Sequence, residues 1–268
     1  MKTFYSQKGE RLSKEILTFY GAEINYSVCM KLLRKKDVKL NGKRVSSDLK
    51  TEVGDEICVY YDAPKREIRV LFGCDDLLAV YKPKGVTSED FFRLVKAEYP
   101  SAIFTHRLDR NTDGIMLFAL NDAAHCELFD GFKKRTFDKY YVATVFGEMP
   151  KNKERLVAYL KKDADLAEVK ISAVPKAGFE EIITEYEVLS REGELSVLKV
   201  KLVTGKTHQI RAHLAFVGHP IIGDGKYGDN AINKRFNEKY QMLTACEITL
   251  YFSKTSPLYY LNGKKITL

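Results

Sequence analysis

Residues 105–114 read Thr-His-Arg-Leu-Asp-Arg-Asn-Thr-Asp-Gly, and residues 115–120 continue as Ile-Met-Leu-Phe-Ala-Leu. An acidic residue between two arginines, followed by a polar segment that ends in glycine, is typical of a loop. The apolar run that follows has the length and composition of a buried strand. The stretch therefore predicts a loop that presents the carboxylate of Asp109 at the edge of a rigid sheet, where chemical groups are often mounted.

Arg107 and Arg110 flank Asp109 on either side. Their positive charges favour the ionised form of the carboxylate, and their guanidinium groups are suited to holding the phosphates of a nucleotide. One alternative is a surface loop whose charges form only salt bridges. Another alternative pairs Asp109 with Asp113 as the two carboxylates of a glycoside hydrolase.

The chain has 268 residues, of which 45% are hydrophobic. This length and composition predict one large and one small folded domain. No apolar run approaches the roughly 20 residues of a membrane span, and the N-terminal segment lacks the apolar core of a signal peptide. We therefore expect a cytoplasmic protein with no membrane association. The five cysteines form no Cys-x-x-Cys pair, which favours free thiols over disulfides or a zinc site.

The net charge of +8 is unevenly distributed along the chain. Residues 1–69 contain 15 basic and 10 acidic side chains, so this quarter of the chain carries five of the eight excess positive charges. Such an imbalance indicates a module that binds a polyanion, and the alternative is a basic face that is merely solvated.

Residues 11–20 and 27–35 have the apolar spacing of two amphipathic helices. Residues 38–45 then alternate around an Asn-Gly pair, which is the strongest short signal for a hairpin, and residues 53–60 predict a further strand. This order resembles the S4-type RNA-binding domain. The resemblance implies that a basic corner contacts RNA through Lys31, Arg34, Lys35, Lys36, Lys43 and Arg44.

A polar and charged segment that contains Pro64 follows and predicts a linker. We therefore divide the chain into an S4-like domain of residues 1–62, a linker of residues 63–70 and a C-terminal domain of residues 71–268.

Three further segments of the C-terminal domain carry recognisable patterns. Residues 77–85 form an apolar run that enters Lys-Pro-x-Gly, and residues 139–147 begin as Lys-x-Tyr and continue as a β-rich run. Residues 204–214 read Thr-Gly-Lys-Thr-His-Gln-Ile-Arg-Ala-His-Leu. Here Thr204 or Thr207 can cap a helix.

The pattern His-Arg-Leu-Asp-x-x-Thr-x-Gly at residues 106–114 resembles the catalytic motif of the RluA-type pseudouridine synthases, and the three other segments resemble further motifs of that family. The resemblance implies an α+β fold, in which a small S4-like α/β head precedes a synthase domain with a mixed, largely antiparallel sheet flanked by helices and loops. It also implies an enzyme that isomerises uridine to pseudouridine in structured RNA without a cofactor. We expect a monomer. Ribosomal RNA is favoured over transfer RNA.

The family's functional residues match individual positions of this chain. The resemblance implies that Asp109 acts on the nucleotide as nucleophile or base, that Arg211 pairs with it, and that Tyr141 and Ile210 sandwich the uracil. Substrate contacts are implied for four more side chains, those of Lys82, His106, Arg107 and Arg110. The main alternative is a non-catalytic RNA-binding or ribosome-associated protein with the same fold. The presence of Asp109, Tyr141 and Arg211 together favours an enzyme.

Two positions depart from the family pattern, since Asp113 stands where Ser is usual and Thr244 where His is usual. The additional carboxylate can perturb Asp109 or form an Asx-type turn. His208 and His213 lack the spacing and the acidic partner of a zinc helix, so we expect hydrogen-bonded histidines and no metal. The Gly-x-Gly-x-x-Gly pattern at residues 223–228 follows only two apolar residues, so we expect no dinucleotide site. The resemblance to the family implies a packed loop at residues 219–228.

Overall fold

The computed structural model describes residues 1–21, 24, 26–61, 67–163 and 168–268. The chain divides into two compact units, Met1–Ile68 with Arg93–Glu98, and Arg69–Phe92 with Tyr99–Leu268. Residues 63–66 of the predicted linker lie outside the described residues, and Val70 begins a strand instead of ending a linker. None of the helices within the described ranges is long and apolar enough to cross a membrane.

The first unit contains two helices and a four-stranded antiparallel sheet with the order β1-β4-β2-β3. Asn41 and Gly42 connect β2 to β3, and both have the positive φ that a two-residue hairpin turn requires. The two predicted helices and the predicted hairpin are therefore confirmed. The elements are β1 (Lys2–Tyr5), α1 (Leu12–Tyr20), α2 (Tyr26–Arg34), β2 (Val38–Leu40), β3 (Lys43–Val45) and β4 (Glu56–Val59).

The core of this unit forms where the apolar faces of the two helices meet the sheet. Leu12 and Ile16, one turn apart on α1, are fully buried, as are Leu33 of α2 and Ile57 of β4. The four-residue spacing places the two α1 side chains on one face of the helix. The opposite faces and the hairpin remain available for charged side chains.

The second unit is built on an eleven-stranded sheet. Nine strands follow the order β11-β10-β12-β13-β9-β14-β8-β6-β5, while β15 pairs with β14 and β7 pairs with β8. Helix α3 (Ser88–Glu98) is divided between the units, because Arg93–Glu98 is assigned to the first. The other elements of the second unit are β5 (Val70–Gly73), β6 (Leu77–Lys82), β7 (Ile103–Phe104), β8 (Asp113–Ala119), α4 (Asp122–Lys134), β9 (Asp138–Phe146), β10 (Lys153–Asp163), β11 (Glu168–Ser172), β12 (Glu180–Glu192), β13 (Leu195–Leu202), α5 (Gln209–Phe216), α6 (Asn230–Arg235), β14 (Leu243–Thr249), a 3₁₀ turn (Tyr259–Leu261) and β15 (Lys265–Thr267).

Strand β8 gives the sheet its mixed character and fixes the loop at residues 105–112. All seven of its residues are buried. It pairs antiparallel with β6 and parallel with β14, and the other strand pairs among the described residues are antiparallel. The predicted α+β fold with a mixed, largely antiparallel sheet is confirmed. Because β8 is held on both sides, the loop that leads into it has a rigid anchor.

The predicted threonine cap of α5 is wrong. The residue at the start of the helix is His208, which has left-handed backbone geometry and makes no side-chain cap. Thr204 instead donates from Oγ1 to Gln209 Oε1 (2.8 Å) and accepts from the Ile183 N–H (2.9 Å). The hydroxyl is thus used to join the turn to β12, a contact between distant segments that a local pattern cannot reveal.

Gly114 lies where β8 meets β14, and we expect Gly114→Ala to destabilise the protein strongly. Its φ is +118°, and a Cβ at this position would lie 2.2 Å from the backbone oxygen of Ala245. The paired strands would have to separate, with an expected loss of roughly 2–4 kcal/mol, which chemical denaturation can measure.

Gly193→Ala is the matched control, because Gly193 also has a positive φ (+60°) but a Cβ there would have no atom within 4 Å. We expect this control to lose only about 1 kcal/mol from backbone strain. Equal losses in the two variants would contradict the close approach of the strands at Gly114.

Candidate active site

The loop of residues 105–112 is held in place by buried polar contacts at both ends. The Thr105 hydroxyl donates to the Leu117 carbonyl. Ser88 Oγ donates to the Leu108 carbonyl (2.8 Å) and accepts from the Leu108 N–H (2.9 Å). At the far end, Gln241 Nε2 donates to Thr112 Oγ1 (2.6 Å). These contacts give Asp109 a defined position.

Lys82 lies beneath this loop. Its side chain is fully buried, and the ammonium donates to the carbonyls of Thr112 (2.8 Å), Pro83 (3.0 Å) and Arg110 (3.3 Å). Burial lowers the pKa of Lys82 to about 8, although the carboxylates of Asp113 and Asp109 oppose this shift. The sequence predicted a substrate contact for Lys82. Its side chain is not among those that line the cavity beside Asp109, described below, and its ammonium ties two segments of backbone together.

Arg211 joins the loop to a second, buried carboxylate. Its Nη1 donates to Asp109 Oδ2 (2.8 Å), while Nε and Nη2 donate to the two oxygens of Asp224 (2.7 and 2.9 Å). The side chain of Asp224 is only 1% exposed. This bidentate pair fixes the plane of the guanidinium, so that Nη1 is directed at Asp109. The predicted pairing of Arg211 with Asp109 is present in the structure.

The charges of this ion-pair network stabilise one another. Burial by itself would raise the pKa of Asp224, but the Arg211 guanidinium and the backbone N–H groups of Lys226 and Tyr227 outweigh burial and hold that pKa below its ordinary value. Burial opposes the charge of Arg211, whereas the carboxylates of Asp224 and Asp109 raise its pKa. The ion pair between Arg211 and Asp224 is therefore charged at neutral pH.

Asp224 was not predicted as a site residue from the sequence. It lies inside the Gly-x-Gly-x-x-Gly pattern, which we treated only as a packed loop. The sequence did contain one indication of such a residue. If Arg211 is buried beside Asp109, its five N–H donors need at least one further acceptor. The partner lies 13 residues away on a loop, and no periodicity connects these two positions.

His208 and Tyr227 extend the network on the other side of Asp109. His208 Nε2 is 3.9 Å from Asp109 Oδ1, and its Nδ1 is 2.9 Å from the Tyr227 hydroxyl. The same hydroxyl accepts from the Val169 N–H (3.0 Å). Burial lowers the pKa of His208, and Arg211 lowers it further against the opposing charge of Asp109. A hydrogen-bonded histidine was expected here, and the structure adds that it faces Asp109.

A cavity with a volume of about 410 Å³ opens beside Asp109. Ile210 and Tyr141 contribute an apolar side chain and an aromatic ring to its lining, and Arg211 also lines it. Tyr141 lies in β9, where it is paired with Val200 of β13 and Ala245 of β14. Burial raises the pKa of Tyr141, and the charge of Asp109 raises it further, so the hydroxyl remains protonated. The structure thus brings the three predicted catalytic side chains and Ile210 to one cavity.

The other predicted contacts occupy different surroundings. Arg107 lines the cavity and lies 3.5 Å from a Glu89 oxygen. His106 also lines it, but its Nε2 accepts from the Leu117 N–H (2.9 Å), and burial together with the charge of Lys139 lowers its pKa to about 3. Arg110 donates from Nε to the Gly85 carbonyl (3.2 Å) and is not part of the lining. Of these residues, Arg107 is the one with an exposed charge at the cavity.

Asp113 and Thr244, the two residues that depart from the family pattern, contact each other. Thr244 Oγ1 donates to Asp113 Oδ1 (2.7 Å), and the Tyr81 hydroxyl donates to Asp113 Oδ2 (2.6 Å). Burial and the neighbouring Asp113 raise the pKa of Tyr81 to about 12. The Asp113 carboxylate therefore joins β6, β8 and β14. Asp113 does not line the cavity beside Asp109, so the structure gives no support to pairing the two carboxylates as in a glycoside hydrolase.

Comparison with known proteins gives consistent results. A family model described as RNA pseudouridylate synthase matches residues 76–216. The chain is 29% identical over 258 residues to "Ribosomal large subunit pseudouridine synthase C" of Haemophilus influenzae, a match that covers 87% of this chain and 80% of the relative. The protein of the same name from Vibrio cholerae is 32% identical over 231 residues, with 76% of this chain and 72% of the relative covered.

The solved structures include "Human RNA Pseudouridylate Synthase Domain Containing 1", which superposes with a TM-score of 0.62 at 24% sequence identity. The superposition covers 71% of this chain and 81% of the human chain. It shows a common fold.

Proposed function

This chain belongs to the RNA pseudouridylate synthase family, and we propose that it converts uridine to pseudouridine in ribosomal RNA. The observation that carries this proposal is the ion pair between Asp109 and Arg211 at the wall of a cavity that Tyr141 and Ile210 also line. The names of the bacterial relatives specify RNA of the large ribosomal subunit, and we propose the same substrate here. We place the reaction in the cytoplasm and treat the enzyme as a monomer.

The chemistry explains why such a cavity is needed. Isomerisation breaks the bond between C1′ and N1 of uridine, turns the uracil, and forms a bond between C1′ and C5. The proton lost from C5 balances the proton gained at N1, so no oxidant or reductant is consumed. The uridine must leave its stack, and the detached uracil must stay in a closed site until the new bond forms.

We propose that Asp109 is the group that acts on the nucleotide. Whether it attacks as a nucleophile or removes a proton as a base, the reaction needs a carboxylate oxygen that faces the substrate. Arg211 binds Oδ2, which leaves Oδ1 for that contact. Tyr141 offers a ring for stacking on the base and a protonated hydroxyl, and Ile210 offers an apolar surface for the opposite face of the base.

The experiment that tests this function maps pseudouridines in the ribosomal RNA of a strain that lacks the gene. We expect at least one pseudouridine of the large-subunit RNA to disappear, and to return when the wild-type gene is supplied. The gene for the Asp109→Asn variant is the control and should not restore it. A complete set of pseudouridines in the deletion strain would favour the non-catalytic RNA-binding alternative.

We further propose that the N-terminal unit is an S4-like module that binds RNA. Its six predicted contact residues are all exposed, and they follow one another from the end of α2 through the β2–β3 hairpin. Arg44 contacts the Lys36 carbonyl and lies 3.9 Å from Asp37, so one acidic side chain faces this group of cations. We call these residues the basic corner, namely Lys31, Arg34, Lys35, Lys36, Lys43 and Arg44.

Replacing Arg34, Lys35 and Lys36 together by Ala should weaken RNA binding and make it less dependent on salt. Each lost phosphate contact is expected to flatten the slope of log K against log salt by about 0.7 for single-stranded RNA. The rate at saturating RNA should change little, because Asp109, Tyr141 and Arg211 belong to the other unit. Binding titrations at several salt concentrations measure the slope.

A matched variant changes Lys8, Lys14 and Lys50 to Ala, since these lysines are exposed in the same unit but lie outside the basic corner. It removes the same charge and should leave the slope nearer to that of the wild type. If both triple variants have the same slope, the basic corner is only a solvated face.

A further inference from the structure

Lys139, the second residue of strand β9, has an unusual environment for a lysine. Its side chain is half-buried and lines the cavity that contains Asp109. Within the described parts of the chain, its ammonium has no hydrogen bond and no ion pair. Three other half-buried lysines nearby in sequence or on adjacent strands all have carboxylate partners, Lys199 with Glu247, Lys201 with Asp138 and Lys206 with Glu180.

Other positive charges lie around Lys139 and make its unpaired ammonium less stable. Arg135, at the end of α4, lines the same cavity, and so does Lys133. Burial lowers the pKa of Lys139, and the positive charge of Arg135 lowers it further. An anion that binds next to two such cations stabilises both, because it offsets their mutual repulsion and the burial of the ammonium.

Gly205 supplies an independent observation. A Cβ at Gly205 would lie 3.2 Å from Lys139 Nζ, a contact tighter than most real Cβ contacts. Its φ lies outside the left-handed range, so the backbone conformation at this position does not require glycine. The absence of a side chain therefore leaves room for the ammonium where the Thr-Gly-Lys turn approaches the cavity.

We propose that Lys139 and Arg135 form an anion subsite in the Asp109 cavity that binds a backbone phosphate of the substrate RNA beside the target uridine. This inference rests on the proposed function, and it adds how the enzyme would hold the sugar-phosphate strand while the base is turned. Phosphate is the anion that accompanies every nucleotide, and a point-charge ammonium with an adjacent guanidinium is suited to it. Asp109 and Arg211 act on the nucleoside, whereas this pair acts on its phosphate.

A fragment titration tests the subsite without requiring turnover. Uridine and uridine 3′,5′-bisphosphate are titrated into the full-length protein, and binding is followed by NMR chemical shifts. For the wild type we expect the bisphosphate to bind about tenfold more tightly than uridine, which corresponds to one charge-assisted contact. In Lys139→Met this advantage should disappear while the affinity for uridine stays the same. Gly205→Ala, which crowds the ammonium, should reduce the advantage as well.

Lys201→Met is the matched control, because Lys201 is also half-buried but is paired with Asp138 and does not line the cavity. It should retain the full advantage of the bisphosphate. Equal affinities of the two fragments for the wild type would overturn the subsite, as would an advantage that persists in Lys139→Met. Isomerisation of RNA is measured in a separate assay. If the enzyme is active but shows no preference for the bisphosphate, the subsite is wrong and the proposed function still holds.

Discussion

Asp109→Asn is expected to abolish pseudouridine formation while RNA binding and stability remain close to those of the wild type. The amide keeps the shape of the side chain but cannot serve as an anionic nucleophile or as a base. The side chain is 25% exposed and is bound by Arg211 through one oxygen, so its replacement disturbs little packing. Removal of one negative charge near the RNA backbone should make RNA binding slightly tighter.

The measurement is single-turnover conversion of uridine in an RNA that carries the mapped site, with binding measured on the same RNA. Asp113→Asn is the control, because Asp113 contacts Tyr81 and Thr244 and lies outside the cavity lining. If Asp109→Asn retains a rate within about tenfold of the wild type, a difference of only roughly 1.4 kcal/mol in the barrier, Asp109 is not the catalytic residue.

Arg211→Ala is expected to remove both activity and stability. It leaves the buried carboxylate of Asp224 without its bidentate partner, and such a loss typically costs about 3–5 kcal/mol. For a chain of this size the melting temperature should fall by roughly 6–20 °C. Arg155→Ala is the control, since Arg155 pairs with Glu185 on the surface, where an ion pair contributes at most about 1 kcal/mol. Thermal unfolding of the two variants gives the comparison.

The pH dependence of stability distinguishes an unpaired Asp224 carboxylate from a simple loss of packing in Arg211→Ala. In the wild type the pKa of Asp224 is held below its ordinary value. The ion pair therefore contributes stability above the unfolded-state pKa of about 3.9, and this contribution is lost as the pH falls through the folded-state pKa. In Arg211→Ala burial dominates and raises the pKa of Asp224, so the variant should instead gain stability as the pH falls through that raised pKa toward the unfolded-state value of about 3.9.

Adding Asp224→Asn to Arg211→Ala removes the stranded charge, and the double variant should recover part of the lost stability at pH 7. The effects of the two changes should thus be strongly non-additive. Purely additive losses, together with an unchanged sign of the pH dependence, would show that Arg211 and Asp224 stabilise the protein independently.

Several features of the molecule follow from short segments of the chain. The apolar runs predict strands such as β8, because a short continuous apolar run next to turn residues is typical of a strand that is buried on both faces. Asn41 and Gly42 determine the hairpin between β2 and β3, because both accept a positive φ. The motif residues Asp109, Tyr141 and Arg211 could also be selected from the sequence, since each lies in a pattern with fixed spacing. Their meeting at one cavity could only be inferred through the resemblance.

Short segments of the chain thus predicted many of the helices and strands, and the resemblance carried by its motifs predicted the class of fold and selected Asp109 as the candidate reacting carboxylate. Tertiary structure alone decided which groups surround that carboxylate. It placed Asp224 behind Arg211, turned Asp113 toward Thr244, buried the ammonium of Lys82 under the loop, and left Lys139 without a carboxylate partner among the described residues. The physical reason is that backbone preferences act over a few neighbouring residues, whereas the charge state and direction of a buried polar group depend on partners from distant strands.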